Sequence, residues 1–334
     1  MTVLATTNPT LLDLARRQDP NGAIAQIVEI LNQRNEILDD MSWIVGNLPT
    51  GHRTTVRTGL PTPTWRKLYG GVLPTKSTTA QVTESCGMLE MYSEVDVALV
   101  QLAGDGAAFR LSEDMAFTEG FNQKVATTLI YGNEGTEPEA FTGLAPRFND
   151  KSAANAENII DAQGSGTDNG SIWLVVWGDQ TVHGIIPKGS KAGLQITDKG
   201  QVTVENAPGG PSGGRYEAYR THFRWDVGLS VKDWRYVVRI ANIDKSDLIK
   251  TAASGADLVD LMVQAVELIP NLNMGRPVFY MSRSMRSMLR RQISNKTLNA
   301  TISLETIAGR SVVAFDGIPV RRLDSLAADE TRVV

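Results

Sequence analysis

Tyr131-Gly132-Asn133-Glu134-Gly135, continued by Pro138-Glu139-Ala140-Phe141-Thr142-Gly143-Leu144-Ala145-Pro146-Arg147, is a glycine- and proline-punctuated turn. It closes two successive helical patterns. Upstream, Ser93 and Asp96 have the spacing of a capping box, and Val95, Ala98, Leu99 and Leu102 recur at helical intervals until Gly104 stops them. After Asp105-Gly106 a longer pattern predicts a helix from Ala107 to Tyr131. Its inward stripe is Leu111, Met115, Val125 and Leu129, with Phe117 and Phe121 beside it. At ~1.5 Å per residue such a helix is about 37 Å long. Glu113, Asp114 and Glu119 fall toward its N-terminal half and Lys124 toward its other end, as the helix dipole favours. Gly132 is the natural C-cap.

With 334 residues, 42% of them hydrophobic and 21% charged, the chain can bury a substantial core as one large domain or two smaller ones. No apolar run approaches the ~20 residues of a membrane span. Met1-Thr2-Val3 lacks the basic flank and apolar core of a signal peptide, so a cytoplasmic protein without membrane contact is expected. The single cysteine, Cys86, excludes an intramolecular disulfide and a multi-cysteine metal site. A formal net charge of −4 argues against tight nonspecific binding to nucleic acid.

Working back toward the N-terminus, Pro49 to Ser85 is dominated by Thr, Gly and Pro, with Arg53, Arg57, Arg66, Lys67 and Lys76 supplying positive charge. Thr54, Val56 and Thr58 alternate, as do Thr79, Gln81 and Thr83, which predicts two extended arms. The segment has too few apolar residues to bury itself. It is either an extension that lies on another surface or a mobile hairpin. Before it, Thr10 and Asp13 pair as a capping box, and Asp19-Pro20 starts a helix with Ile24, Ile27, Val28, Leu31 and Leu38 on one face. That arm packs on its own core or on a neighbour.

Toward the C-terminus, Asn149 to Asp168 reads as a loop with a short helix. Ile172 to Trp177 and Thr181 to Ile186 read as a strand pair covered on both faces, joined through Gly178-Asp179. Leu194 to Thr197 and Gln201 to Glu205 read as a second pair around Asp198-Lys199-Gly200. The Gly-rich tract 207–214 lacks the Gly-Lys-Ser/Thr of a phosphate loop. Phe223 to Val231 alternates as a half-buried strand, and a further strand begins at Trp234, Tyr236, Val238 and Ile240. Asp257 caps a helix that stops at Pro270, Val278 to Met281 is a short strand, and Ser282 opens a helix. Val312 to Phe315 and Ile318 to Arg322 make a hairpin around Asp316-Gly317.

No catalytic, cofactor or metal site is expected. His52, His183 and His222 are far apart in sequence, no serine sits in a G-x-S-x-G motif, and Cys86 reads as a bystander. The acidic pairs Asp39-Asp40 and Glu113-Asp114 are accounted for by helix ends. Arg283, Arg286, Arg290 and Arg291 form a basic helix face, either solvated or set against an acidic neighbouring subunit; a DNA-reading helix is disfavoured because aromatic partners are absent.

Two further strings join the opening one. They are Trp225-Asp226-Val227-Gly228-Leu229-Ser230-Val231, with Asp233-Trp234-Arg235-Tyr236 and Arg239-Ile240-Ala241-Asn242, and the strand-to-helix step Tyr280-Met281-Ser282-Arg283. Together with the order of elements, from about Leu11 to Val320, the chain resembles the major capsid proteins of tailed bacteriophages with the Hong Kong-phage type of fold, in a podovirus-like branch. The resemblance implies an α+β fold with an N-terminal arm, an extended β-hairpin loop, a long spine helix, and peripheral and axial domains. The expected divisions are the helical arm 1–48, the extended loop 49–92 and the spine helices 93–140. Then come an axial part with inserted strands 141–214, peripheral strands 215–245, axial helices and a strand 246–308, and a terminal hairpin 309–334.

The implied function is self-assembly into an icosahedral head shell around double-stranded DNA, in a virion made in the bacterial host cytoplasm. The implied partners are the chain itself in hexamers and pentamers, a portal protein, a separate scaffolding protein, a cement protein in some relatives, and packaged DNA through weak nonspecific contact. Arg53, Arg57, Arg66 and Lys67 are expected to face Glu113, Asp114 and Glu119 of an adjacent subunit. The alternatives are a tail or decoration component and a cytoplasmic enzyme with an unrecognised site.

Overall fold

Because β5 (Asn169–Trp177) is buried at every position, it needs a cover on both faces and a strand on both edges. It has both. The computed structural model describes residues 8–11, 13–14, 33–205, 214–248, 255–295, 302–307 and 310–334, and the chain divides into two compact units. One comprises residues 1–35, 88–127 and 191–226; the other comprises 36–87, 128–190 and 227–334.

In the larger unit, β5 lies between β9 (Val237–Asp244) and β10 (Arg276–Met281), antiparallel to each. β10 runs parallel to β13 (Ile318–Arg322), which turns back on β12 (Arg310–Phe315) through Asp316 and Gly317, both at positive φ as a two-residue hairpin turn requires. β11 (Ile302–Ile307) pairs with β12. The even-numbered residues of β5, Ile172, Leu174 and Val176, join Val238, Ile240, Phe279 and Met281 in one core. Two helices cover it: Leu258–Leu268 contributes Leu258, Met262 and Ala265, and Arg283–Asn295 contributes Met285 and Leu289. Each of the buried Leu, Ile, Val, Met and Phe side chains contributes ~1.5–3 kcal/mol. Asp257 caps the first of these helices through the N–H groups of Val259 and Asp260.

The reading of Ile172 to Ile186 as a strand pair holds for burial but not for pairing. β6 (Val182–Ile186) meets β5 only at the parallel bridge Trp177–Val182. Its ladders are antiparallel to Gly228–Val231 and parallel to Trp43–Val45. Two fully buried strands each need full ladders, and non-local partners supply them.

In the smaller unit, Asp198-Lys199-Gly200 does not end a strand. β7 runs unbroken from Gln195 to Glu205 along Arg215–Arg224 of β8 (Arg215–Val231), with an extra residue accommodated between Asp198 and Gln201. Gly200 has φ +71° and donates its N–H to the Asp198 carboxylate at 2.8 Å, so the turn signal marks a bulge. Thr10 and Asp13 form the expected reciprocal box, with the Thr10 N–H on Asp13 at 2.9 Å and the Asp13 N–H on the Thr10 hydroxyl at 3.4 Å. The helix expected after Asp19 lies outside the described residues up to residue 32, and its last expected member, Leu38, falls in a separate four-residue helix, Ile37–Asp40, after residues 33–36 that are not helical. Of the Gly-rich tract 207–214, only Gly214 is among the described residues.

The long helix spans Gly106–Tyr131, one residue longer than its periodicity predicts. Its inward face matches the expected stripe at Val125 and Leu129 but not at Leu111 and Met115. Leu111 and Met115 are exposed, at 64% and 61%, while Phe109, Phe121, Val125 and Leu129 are buried. Phe117 stacks on Phe223 at 5.4 Å between ring centres, and Phe121 lies 6.2 Å from the same ring. Phe117, Phe121, Val125 and Leu129 follow an unbroken i, i+4 row, with Phe109 two steps further up it, which a helix presents as one ridge. Upstream, the short helix starts at Val97 and not at Ser93: Asp96 accepts the Ala98 N–H at 2.8 Å, and Ser93 and Val95 belong to the strand Thr78–Asp96.

Candidate functional site

The segment that sequence marks as unable to bury itself forms a hairpin. β2 (Gly51–Gly59) runs antiparallel to the first half of β3 (Thr78–Asp96), in register from Gly51–Ser85 to Arg57–Thr79, with an irregularity before Gly59–Thr78. Between the strands, residues 60–77 have no regular ladder, and Gly70 closes a small turn on the Lys67 carbonyl at 3.0 Å. Trp65 and Tyr69 are fully exposed, and Leu60, Leu68 and Leu73 are each at least three-quarters exposed. Pro61, Pro63 and Pro74 restrict the backbone there, which lowers the entropy lost when the tip is ordered against a partner. Exposed large apolar side chains gathered on one segment are a feature of protein contact surfaces.

The hairpin base is rigid. A Cβ at Gly51 would lie 2.0 Å from the Glu84 carbonyl, so only glycine lets the strands meet there. Glu84 is buried and takes two hydrogen bonds from Arg147, at 2.9 and 2.6 Å. Arg147 belongs to the string that follows the long helix, and that string works as a C-terminal cap. The Gly143 N–H donates to the Gly132 carbonyl at 2.8 Å, and the Leu144 N–H to the Leu129 carbonyl at 3.0 Å. Gly132 is not at positive φ; it is glycine because a Cβ would sit 2.5 Å from the Phe141 carbonyl. Gly143 is tighter still, with the carbonyls of Thr128, Leu129 and Ile130 all within 2.8 Å of a Cβ there.

Of the residues expected to pair between subunits, Arg53 is exposed and reaches the Thr83 hydroxyl across the hairpin at 3.1 Å. Arg57 borders a cleft of about 400 Å³ with Lys232, Trp234 and Arg235. Arg66 and Lys67 lie on the exposed tip. Glu113 and Asp114 are half-buried, and Asp114 accepts from Thr221 at 3.2 Å. Glu119 accepts from the Gln33 N–H at 2.9 Å and from Gln123 at 2.8 Å. Burial pushes its carboxyl up, but the hydrogen bonds from Gln33, Gln123 and Asn122 outweigh this and hold it below the ordinary range. The basic set falls in the larger unit and the acidic set in the smaller one.

The Arg147–Glu84 anchor was not anticipated from sequence. The available signal was that Glu84 is the sole carboxylate between residues 49 and 85. Among the described residues, no group of three His, Cys, Asp or Glu side chains could hold a metal, and no helix is long and apolar enough to cross a membrane.

The family model for major capsid protein GP7 matches residues 19–334. No curated protein sequence matches significantly. A chain in the near-atomic structure of bacteriophage Epsilon15 is 38% identical, with a TM-score of 0.77 and coverage of 100% of this chain and 99% of that one. A chain of the bacteriophage JBD30 capsid is 9% identical, with a TM-score of 0.50 over 89% of this chain and 92% of its own, a likeness of fold alone. An exposed hairpin, a long helix and its glycine-sealed cap thus sit in the Hong Kong-phage type of α+β fold, and the chain belongs to the family of major capsid protein GP7, whose members form the phage head shell.

Proposed function

We propose that residues 60–77 at the hairpin tip are the assembly contact of this capsid protein, lying on the adjacent subunit within hexamers and pentamers of the shell. The observation that carries this reading is the exposure of Trp65, Leu68, Tyr69 and Leu73 on a hairpin whose base is anchored by Arg147 and Glu84. A rigid base with an apolar, proline-stiffened tip is suited to reach a neighbour with little loss of entropy. Arg53, Arg57, Arg66 and Lys67 then approach Glu113 and Asp114 of that neighbour, with Glu119 a weaker member because its own chain already supplies donors.

In this reading the chain performs no catalysis and carries no cofactor. The chain is organised as an arm, an extended loop, and peripheral and axial parts. A portal protein at one vertex and a separate scaffolding protein complete the assembly, and a cement protein is compatible with it. Deleting Gly59 to Lys76 tests the contact. The expected product is a folded protein, by circular dichroism and thermal melting, that forms no closed shells in electron micrographs. Normal shells from the deletion variant overturn the reading.

A further inference from the structure

The helix Arg283–Asn295 has two faces of opposite character. Met285 and Leu289 are buried in the core, and Gln292, fully buried, accepts the Leu258 N–H and donates to the Ala256 carbonyl. The other face lines a cleft of about 520 Å³ with Arg283, Arg286, Ser287, Arg290 and Arg291, to which β13 adds Arg322. Arg283, Arg290 and Arg291 are exposed. Asp324 stands at the rim, 3.2 Å from Arg283, and braces the Arg322 guanidinium. All these residues belong to the larger unit. Five guanidinium groups thus converge in a protein whose net charge is −4.

We propose that this cleft is a binding site for phosphodiester groups, the backbone of the packaged nucleic acid. Guanidinium forks match phosphate oxygens in pairs. Among the described residues the cleft lining is arginine and serine, with no aromatic platform for bases and no apolar anchor for a peptide. That composition favours a polyanion held by charge over a protein segment, and predicts contact without sequence preference. Arg283 and Arg290 are seven residues apart on one helix face, a rise of about 10 Å. Over that length one nucleic-acid strand presents about three phosphates. Contact with so few phosphates is weak and salt-sensitive, so nucleic acid can be held at the shell and still leave it.

The inference rests on the capsid family and is independent of the hairpin contact, because binding is measured on unassembled subunits. The full-length protein is titrated against a fluorescein-labelled random duplex in a salt series, with polyglutamate and inorganic phosphate as parallel competitors. Release of about three counterions gives a log–log slope near −2.7, a loss of about 40-fold between 50 and 200 mM salt. Arg290→Gln/Arg291→Gln should lower affinity and bring the slope to about −1, since two contacts are lost. Lys188→Gln/Lys199→Gln, at exposed lysines outside both the cleft and the hairpin, should bind as wild type. The proposal is overturned if the cleft variant, with an unchanged thermal melt, keeps wild-type affinity and slope, or if the lysine variant loses binding instead. Polyglutamate competing as well as unlabelled duplex overturns it in favour of an acidic protein partner. Complete displacement by millimolar phosphate overturns it in favour of a site for the free ion.

Discussion

Arg147 donates from both terminal nitrogens to the two carboxylate oxygens of Glu84, at 2.9 and 2.6 Å, with the Glu84 side chain only 9% exposed. The same guanidinium donates to the carbonyls of Thr142 at 3.1 Å and Gly143 at 3.2 Å. One side chain therefore ties the cap of the long helix to the base of the exposed hairpin. Replacing it by Met strands a buried carboxylate and should cost about 2–3 kcal/mol, read in urea unfolding. The swap Arg147→Glu/Glu84→Arg should not restore stability, because a glutamate at 147 has no donor for the two carbonyls. Wild-type stability in the swapped protein would contradict this.

Gly143→Ala should cost about 1–3 kcal/mol or prevent folding, since the new methyl would press on three helix carbonyls that cannot retreat without breaking the cap. Gly71→Ala, where nothing lies within 4 Å, should melt like wild type. Equal melts for both variants would show that the close approach carries no energy.

The long helix offers a paired test of its inward face. Met115→Asp should leave a folded, soluble protein, because Met115 is 61% exposed. Phe121→Ala should cost about 3–5 kcal/mol, because its ring is fully buried beside Phe223. Thermal melts of the two single variants check the order.

Reversal of Arg57 and Arg66 to Glu should weaken assembly, with partial recovery on adding Glu113→Lys. Each exposed pair is worth only ~0–1 kcal/mol, but a closed shell repeats it at every interface. Light scattering across a salt series follows the effect, since screening acts within about 8 Å at physiological ionic strength. Wild-type assembly by the reversed protein at every salt would leave these charges a role in solubility alone.

Acid should loosen the larger unit through His183. The ring is fully buried, edge-on to His52 at 5.8 Å between ring centres. Burial, then the Lys232 and His52 charges, push its pKa from 6.5 to about 4, against a smaller opposing pull from Asp179. Burial and Lys232 also lower His52, with Glu84 opposing. Above pH 6.5 the imidazole is neutral whether the chain is folded or not, so it contributes no pH dependence. Between 6.5 and about 4 only the unfolded state takes the proton, and stability falls as the pH is lowered. Urea titrations at a series of pH values should show a shallower fall for His183→Gln.

Local rules sufficed where the signal was local. The Thr10–Asp13 box, the Asp257 cap, the Asp316-Gly317 hairpin and the ends of the long helix follow from side chains that satisfy backbone groups a few residues away. The absence of enough apolar residues between Pro49 and Ser85 likewise identified a segment that extends beyond its own core. Turn chemistry misled at Asp198-Lys199-Gly200, because the same left-handed glycine serves a hairpin turn or a bulge, and only the partner strand decides which.

Sequence alone located the long helix, the helix capped by Asp257, the two arms of the exposed hairpin and the Asp316-Gly317 turn, because propensity, capping and apolar content act over short spans. It placed Ile159–Asp161 in a loop and Trp234–Tyr236 in a strand, where the fold has a strand parallel to β9 and a 3-10 helix. Tertiary structure alone decided which face of the long helix turns inward. Leu111 and Met115 are as apolar as Phe117 and Phe121, and the choice fell to the row that meets the Phe223 ring. It alone brought Glu84 to Arg147, 63 residues away, and gave β6 its partners on Gly228–Val231 and Trp43–Val45. Burying a carboxylate or a strand edge leaves polar groups that must be satisfied, and which distant segment satisfies them depends on the packing of the whole unit.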